Sequence, residues 1–167
     1  MVKNAINQHW SKKLKLDAAK KSSLKYLNLE AFKIGEVHPV WKVGSDPVQV
    51  TMASNKARIL VQRYQVYGVK CAGTRQLSTC PLCKGPPETL EHFLLECPEL
   101  QNKRTSHLKK LKTILPNIKD EQLLQLIIDS SVYTDDNSAE RISRRMCYDL
   151  HNKRTKLLTE ICEKNAM

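Results

Sequence analysis

Three cysteines and one histidine stand at a spacing that is typical of a metal site. Cys80, Cys83, His92 and Cys97 follow the pattern Cys-x2-Cys-x8-His-x4-Cys. Three thiolates and one imidazole are a standard ligand set for structural Zn²⁺, which binds four donors at the corners of a tetrahedron. The sequence therefore predicts one structural zinc ion held by these four residues. Donor type and spacing alone leave open another thiophilic metal.

The segment between the second cysteine and the histidine predicts a loop followed by a helix. Cys80 and Cys83 bracket a tight turn, and the sequence Lys-Gly-Pro-Pro that follows them favours irregular backbone. Thr89 is suited to capping the N-terminus of a short helix that carries His92.

The predicted helix has to end before the last ligand. Cys97 follows His92 by five residues, and in a continuous α-helix the two side chains would point about 140° apart. Pro98 disfavours helical backbone at the residue before it. We therefore expect the helix to end near Glu96 and Cys97 to turn back toward the metal.

Two other interpretations explain the same four residues. They could be ordinary buried thiols beside a histidine on a helix face, or the cysteines could form disulfides. Nothing resembling a secretory signal sequence precedes them, which argues against disulfides. The other cysteines, which we expect to be reduced and structural, are Cys71, Cys147 and Cys162.

The rest of the chain predicts a small, mainly α-helical domain stapled by the zinc site. Five glycines and few β-branched runs favour helices over strands, and the capping and apolar patterns predict about six helices. We divide the chain into a basic helical N-terminal region (1–75), a zinc module with the following helix (76–116) and a C-terminal helical pair (117–167). No apolar stretch approaches the roughly 20 residues that span a bilayer. We therefore expect a soluble intracellular protein, nuclear or cytoplasmic, without a membrane partner.

Capping residues and prolines predict where the helices begin. The first helix carries the apolar residues Ile6, Trp10 and Leu14 at four-residue steps, with lysines on its other sides. The predicted first residues or N-caps of the helices outside the zinc loop are Asn4 or Asn7, Ser22, Thr51, Pro98, Asp120 and Ser138.

The basic residues are unevenly distributed along the chain, whose formal net charge is +11. Residues 1–75 hold 14 Lys and Arg against 4 Asp and Glu, whereas residues 76–167 hold 14 against 13. This excess favours a polyanionic partner, for which nucleic acid is the first candidate and an anionic membrane surface the second. Of the two we predict RNA or DNA, bound through its backbone phosphates. A solvated helix surface is the alternative. The candidate phosphate contacts are Lys56, Arg58, Arg63, Lys103, Arg104, Lys109 and Lys110.

No group of residues predicts catalysis. Tyr133 to Asp136 read Tyr-Thr-Asp-Asp, which matches the metal-binding signature of reverse transcriptase palms. That signature lies in a hairpin between strands, whereas here it lies between two predicted helices, where turn and cap chemistry is simpler. The zinc site is closed, because all four ligands come from the protein. We therefore predict that the chain is not an enzyme.

The zinc segment also carries a resemblance to a known family. It reads Cys-Pro-Leu-Cys at 80–83 and Glu-Thr-Leu-Glu-His-Phe-Leu-Leu-Glu-Cys at 88–97, and upstream stand Ser-Ser-Leu-Lys-Tyr-Leu at 22–27, His-Pro-Val-Trp at 38–41 and Ala-Arg-Ile-Leu at 57–60. These segments resemble the zinc-binding region that lies C-terminal to the reverse transcriptase of non-LTR, LINE-like retrotransposons. The resemblance covers roughly residues 10–100 and is specific only at the zinc segment.

The resemblance implies a binding function but no catalytic activity. In the intact proteins an endonuclease and a polymerase precede this region, which is associated with holding element RNA or target DNA during target-primed reverse transcription. Only Cys80, Cys83, His92 and Cys97 carry over residue by residue, as zinc ligands. We therefore expect a zinc-stabilised nucleic-acid-binding module without polymerase activity, with a reverse transcriptase domain as a further partner. The alternative is a structural or protein-interaction remnant of a retroelement protein that does not bind nucleic acid by itself.

Overall fold

The computed structural model describes residues 2–30, 35–64, 79–134 and 136–165. Within these ranges the chain is mainly α-helical and contains no strand, which confirms the predicted fold class. A π-helical turn at His92–Glu96 and several single 3₁₀ turns join the longer helices. The α-helices are α1 (Val2–Ala19), α2 (Pro47–Leu60), α3 (Gln101–Ile114), α4 (Leu123–Ile128) and α5 (Asn137–Asn165).

Helix α5 is the centre of the fold, because α2, α3 and α4 all pack against it. Its buried residues Met146 and Leu150 share one core with Ile59 of α2 and Leu111 of α3. Phe93, in the loop that carries the predicted metal ligands, belongs to the same core. Full burial of a side chain of this size stabilises a fold by about 1.5–3 kcal/mol.

The division of the chain into the regions 1–75, 76–116 and 117–167 stays a prediction.

Helix α2 begins four residues earlier than predicted. It begins at Pro47 rather than at Thr51, because Asp46 caps it. The Asp46 carboxylate accepts a hydrogen bond from the backbone N–H of Val48 at 3.1 Å. Proline suits the first helical position, where its missing N–H would have no partner.

The described residues of the Tyr-Thr-Asp-Asp segment, Tyr133, Thr134 and Asp136, precede α5 and belong to no strand. Asp136, rather than the predicted Ser138, caps this helix, and its carboxylate accepts the backbone N–H of Ser138 at 2.9 Å. Hydrogen bonds from the hydroxyl and the backbone of Ser138 lower the pKa of Asp136. Asp135 lies outside the described residues. Asp136 therefore caps the N-terminus of α5, in agreement with the turn and cap role predicted for this segment.

The segment that follows α1 forms turns instead of the predicted helix, whose C-terminal part lies outside the described residues. Ser22–Leu24 is a single 3₁₀ turn. The chain after it is held by tertiary hydrogen bonds: Gln125 Nε2 donates to the Tyr26 carbonyl at 2.7 Å, and Asp129 Oδ2 accepts the Asn28 N–H at 2.7 Å. These contacts dock the segment on α4 and the turn after it. Within the described ranges, no helix is long and apolar enough to cross a membrane.

Candidate metal centre

The fold brings the four predicted ligands together. One donor atom from each of Cys80, Cys83, His92 and Cys97 lies within 4.8 Å of all the others. Cys83 Sγ is 3.4 Å from His92 Nε2. Cys80, His92 and Cys97 are buried, and Cys83 is half-buried. The cluster could hold a metal ion, as the spacing predicted.

The first two ligands lie on a tight turn. The Lys84 N–H donates to the Cys80 carbonyl at 2.9 Å, and the Cys80 N–H donates to the Pro86 carbonyl at 2.9 Å. Lys84 has φ 60°, in the left-handed region that favours glycine. A Cβ at Gly85 would lie 3.3 Å from Cys83 Sγ. The turn therefore places two thiols side by side and leaves little room around the second.

The last two ligands are brought to the same side by a π-helical turn. Thr89 caps the helix as predicted, because its Oγ1 accepts the His92 N–H at 3.0 Å. The Cys97 N–H then donates to the His92 carbonyl at 2.7 Å, across five residues instead of four. This wider turn lets two residues five apart approach one another, which an α-helix would not allow. The helix ends at Glu96 as expected, and Pro98 begins the next 3₁₀ turn.

The orientation of His92 suits a ligand. Its Nε2 faces Cys83 Sγ, and its buried Nδ1, which has no hydrogen-bond partner, lies 3.5 Å from Glu96 Oε2. A metal-bound histidine usually turns its second ring nitrogen toward a carboxylate, a carbonyl or water. Glu96 is the carboxylate in that position.

The surroundings of Cys80 and Cys97 disfavour their thiolate forms unless a cation stabilises the charge. Burial, together with the charges of Cys80 and Cys83, raises the pKa of Cys97 to about 12. Burial also raises the pKa of Cys80. Metal ligation requires thiolates, so an ion that enters this cluster must release protons. The donor set of three soft sulfurs and one imidazole fits an ion such as Zn²⁺.

A buried ion pair attaches the loop of the cluster to α5. Arg154 Nε and Nη2 donate to the two oxygens of Glu88 at 2.6 and 2.7 Å. Nearby, the Tyr64 ring stacks on Phe93 with centroids 5.1 Å apart, and its hydroxyl lies 2.8 Å from His151 Nδ1. Our sequence reasoning missed these contacts, because they join residues far apart in the chain.

Lys56 was a candidate phosphate contact, and the structure contradicts that role. Its side chain is fully buried, with Nζ 2.5 Å from Glu140 Oε2 and 2.6 Å from Ser143 Oγ. The sequence already indicated that Lys56 is buried, because it follows Met52 by four residues and precedes Ile59 by three. It therefore lies on the apolar face of α2 that packs against α5.

Arg104 is the second candidate that the structure contradicts as a phosphate contact. It is fully buried, and its guanidinium donates to the Leu94 and Cys97 carbonyls beside the cluster. Its place on the apolar face of α3, four residues after Leu100 and seven before Leu111, was visible in the sequence. The candidates that remain exposed are Arg58, Arg63, Lys103, Lys109 and Lys110.

Comparison with known proteins gives no assignment. No protein-family model, curated protein or solved structure matches this chain. Its function is therefore inferred from the residues and the geometry described above.

Proposed function

We propose that the chain is a nucleic-acid-binding module stabilised by one structural zinc ion, similar to the region that lies C-terminal to the reverse transcriptase of non-LTR retrotransposons. The convergence of four donor atoms within 4.8 Å carries the proposal. When bound, zinc would join the turn at Cys80 and Cys83 to the π-helical turn at His92 and Cys97. It would supply a cross-link and no reactive water, because the protein provides all four ligands.

Exposed basic residues near the end of α2 support binding to phosphates. Gln62 Nε2 donates to the Ser22 carbonyl at 3.0 Å, which joins the turn after α1 to the C-terminus of α2. Lys21 and Arg63, the sequence neighbours of these two residues, are exposed. Within the described part of the chain neither forms an ion pair, and Arg58 adds a third exposed cation on α2. Such a group attracts a polyanion by releasing its counterions.

Helix α3 presents a second basic surface. Lys103, Lys109 and Lys110 are exposed, and Lys103 and Lys110 lie seven residues apart, on one side of the helix. Lys112 differs, because its Nζ lies 2.7 Å from Asp120 Oδ1. The three lysines are suited to contacts with backbone phosphates, which position a protein without reading sequence.

A protein-interaction module is the second candidate function. Ile6, Trp10 and Leu14 of α1 are 51%, 53% and 42% exposed. They lie four residues apart and so share one face of the helix. An apolar stripe of this kind favours a protein partner, such as a neighbouring polymerase domain.

A salt series separates the two candidate functions. Binding of zinc-loaded protein to duplex DNA and to structured RNA is measured from about 50 to about 200 mM salt. We expect the affinity to fall steeply with salt, and the double variant Arg58→Gln/Arg63→Gln to reduce the logarithmic slope by about 2. The matched control is Lys112→Gln. The Lys112 ammonium already pairs with the Asp120 carboxylate, so this variant should have the same logarithmic salt slope as wild type. Weak binding without a salt slope would favour the protein-interaction module.

A further inference from the structure

Arg104 is a positive charge in the interior of the protein, next to the metal cluster. It has no exposed surface, although guanidinium remains charged in proteins. Its Nε donates to the Leu94 carbonyl at 2.7 Å, Nη2 to the Cys97 carbonyl at 3.1 Å and Nη1 to Gln101 Oε1 at 2.8 Å. These acceptors are neutral. They satisfy its donors without balancing its charge.

Other buried cations of the fold have a carboxylate close by. Among the described residues these are Lys56, which pairs with Glu140, and Arg154, which pairs with Glu88, whereas Arg144, like Arg104, forms no ion pair.

Arg104 lacks such a partner, since no Asp or Glu of the described ranges forms an ion pair with it. Its Nη2 instead donates to the backbone carbonyl of Cys97, one of the four candidate ligands. A buried charge is costly unless an opposite charge lies nearby. Because Cys97 belongs to the cluster, thiolates formed there would supply negative charge beside the guanidinium.

We infer that Arg104 is the buried counter-charge of the metal centre and determines how tightly a divalent ion binds there; this inference rests on the proposed zinc site. Three thiolates and a neutral imidazole carry three negative charges, and a divalent ion leaves one of them unbalanced. The guanidinium supplies one positive charge at this point. The buried charges therefore balance when the divalent ion is bound.

Arg104 also positions the last two ligands. The Leu94 and Cys97 carbonyls lie at the C-terminal end of the π-helical turn, where a helix leaves carbonyls without internal partners. The guanidinium donates hydrogen bonds to both carbonyls and so connects this turn to α3 within the core. It is a positioning residue, because it acts on the ligands and does not bind the ion.

The test is the Zn²⁺ affinity of the full chain, measured by competition with a chromophoric chelator. Four proteins are compared: wild type, Arg104→Gln, Arg104→Lys and, as control, Lys112→Gln at an exposed position of the same helix. Substitution with Co²⁺ reports thiolate ligation in each protein through its charge-transfer bands. We expect Arg104→Gln to bind Zn²⁺ about 10 to 100 times more weakly, as outer-shell changes typically do. Arg104→Lys keeps the charge and should recover part of this loss, and Lys112→Gln should bind Zn²⁺ like wild type.

Three results would overturn the inference in distinguishable ways. Equal affinities of wild type and Arg104→Gln would remove any role for the residue in metal binding. Equal losses in the Gln and Lys variants would assign the effect to hydrogen bonding and not to charge. Absence of cobalt–thiolate bands in wild type would overturn the zinc site itself. Circular dichroism in excess zinc shows whether Arg104→Gln folds. If it does not, the Zn²⁺ affinity of Arg104→Lys is the test. An affinity within about tenfold of wild type supports the inference, and a loss of more than about 100-fold overturns it.

Discussion

The backbone N–H of Cys97 donates to the carbonyl of His92 at 2.7 Å, which closes a helical turn of five residues. In an α-helix the two side chains would diverge by about 140°. The wider turn returns Cys97 to the side of the helix that carries the imidazole. The backbone hydrogen bond therefore allows His92 and Cys97, which are separated by four residues, to face the same site.

Removal of the metal should destabilise the whole fold, because the ligand loop contributes Phe93 and Leu94 to the core. An ion at about 1,000 times its Kd stabilises a protein by about 4 kcal/mol. For a chain of this size that corresponds to a fall in Tm of about 8 to 16 °C on chelation. Thermal unfolding followed by circular dichroism, with and without chelator, measures it. Restoration of the Tm by Zn²⁺ but not by Mg²⁺ is the control, and identical melting curves would contradict the prediction.

Replacing the buried Lys56 should cost stability without affecting affinity for nucleic acid. In Lys56→Met the Glu140 carboxylate loses the ammonium 2.5 Å away, and breaking a buried pair in this way costs about 3–5 kcal/mol. Urea denaturation measures the loss. The exposed Lys103→Met is the matched control and should change stability by no more than about 0.5 kcal/mol. A cost below about 1 kcal/mol for Lys56→Met would contradict the buried pair.

Asp129 should stabilise the fold at neutral pH and lose this effect in acid. Burial disfavours its charge, but the nearby His38 ring, with Nε2 3.5 Å from Oδ1, and hydrogen bonds from Ser131 and the Asn28 N–H outweigh burial and lower its pKa from 3.8 to about 2. A carboxyl group with a depressed pKa stabilises the fold above its unfolded pKa, so the contribution, about 2 kcal/mol, disappears between about pH 4 and pH 2. The stability difference between wild type and Asp129→Asn, measured by denaturation across this range, should shrink accordingly. A difference that is independent of pH would refute the assignment.

Lys84 should be replaceable by glycine with a gain in stability. It has φ 60°, a conformation that costs a side-chain-bearing residue about 1–2 kcal/mol. Glycine removes this cost but raises the entropy of the unfolded chain, so we expect a net gain of about 0.5 to 1 kcal/mol in zinc-loaded protein. Lys119 is the control, since its φ of −81° is ordinary and Lys119→Gly should be neutral or destabilising. A loss of stability in Lys84→Gly would show that the lysine side chain contributes something else to the turn.

The sequence predicted the local parts of this structure well. The clustering of the four candidate ligands and the Thr89 cap depend on residues within one short segment, so their spacing carries the information. The mainly α-helical fold followed from composition and capping patterns. The π-helical turn was not predicted, because Pro98 indicates that a helix ends but not which hydrogen bond closes it.

Long-range burial was the part that the sequence left undetermined. Lys56 and Arg104 were assigned to solvent because of their charge, although their helical positions placed them among apolar residues. Their carboxylate and carbonyl partners come from other elements, and Arg154 meets Glu88 from 66 residues away. The Lys56–Glu140 and Arg154–Glu88 pairs become visible only when the packing of α2 and of the cluster's loop against α5 is known.

Metal content is the most direct test of the central claim that these four residues bind one zinc ion. It is determined by mass spectrometry on purified wild type, Cys97→Ala and Cys147→Ala, the last a buried cysteine of α5 outside the cluster. We predict one zinc ion per chain in wild type and in Cys147→Ala, and loss or strong weakening of binding in Cys97→Ala. Wild-type protein without zinc, or equal zinc content in all three proteins, would contradict the metal centre.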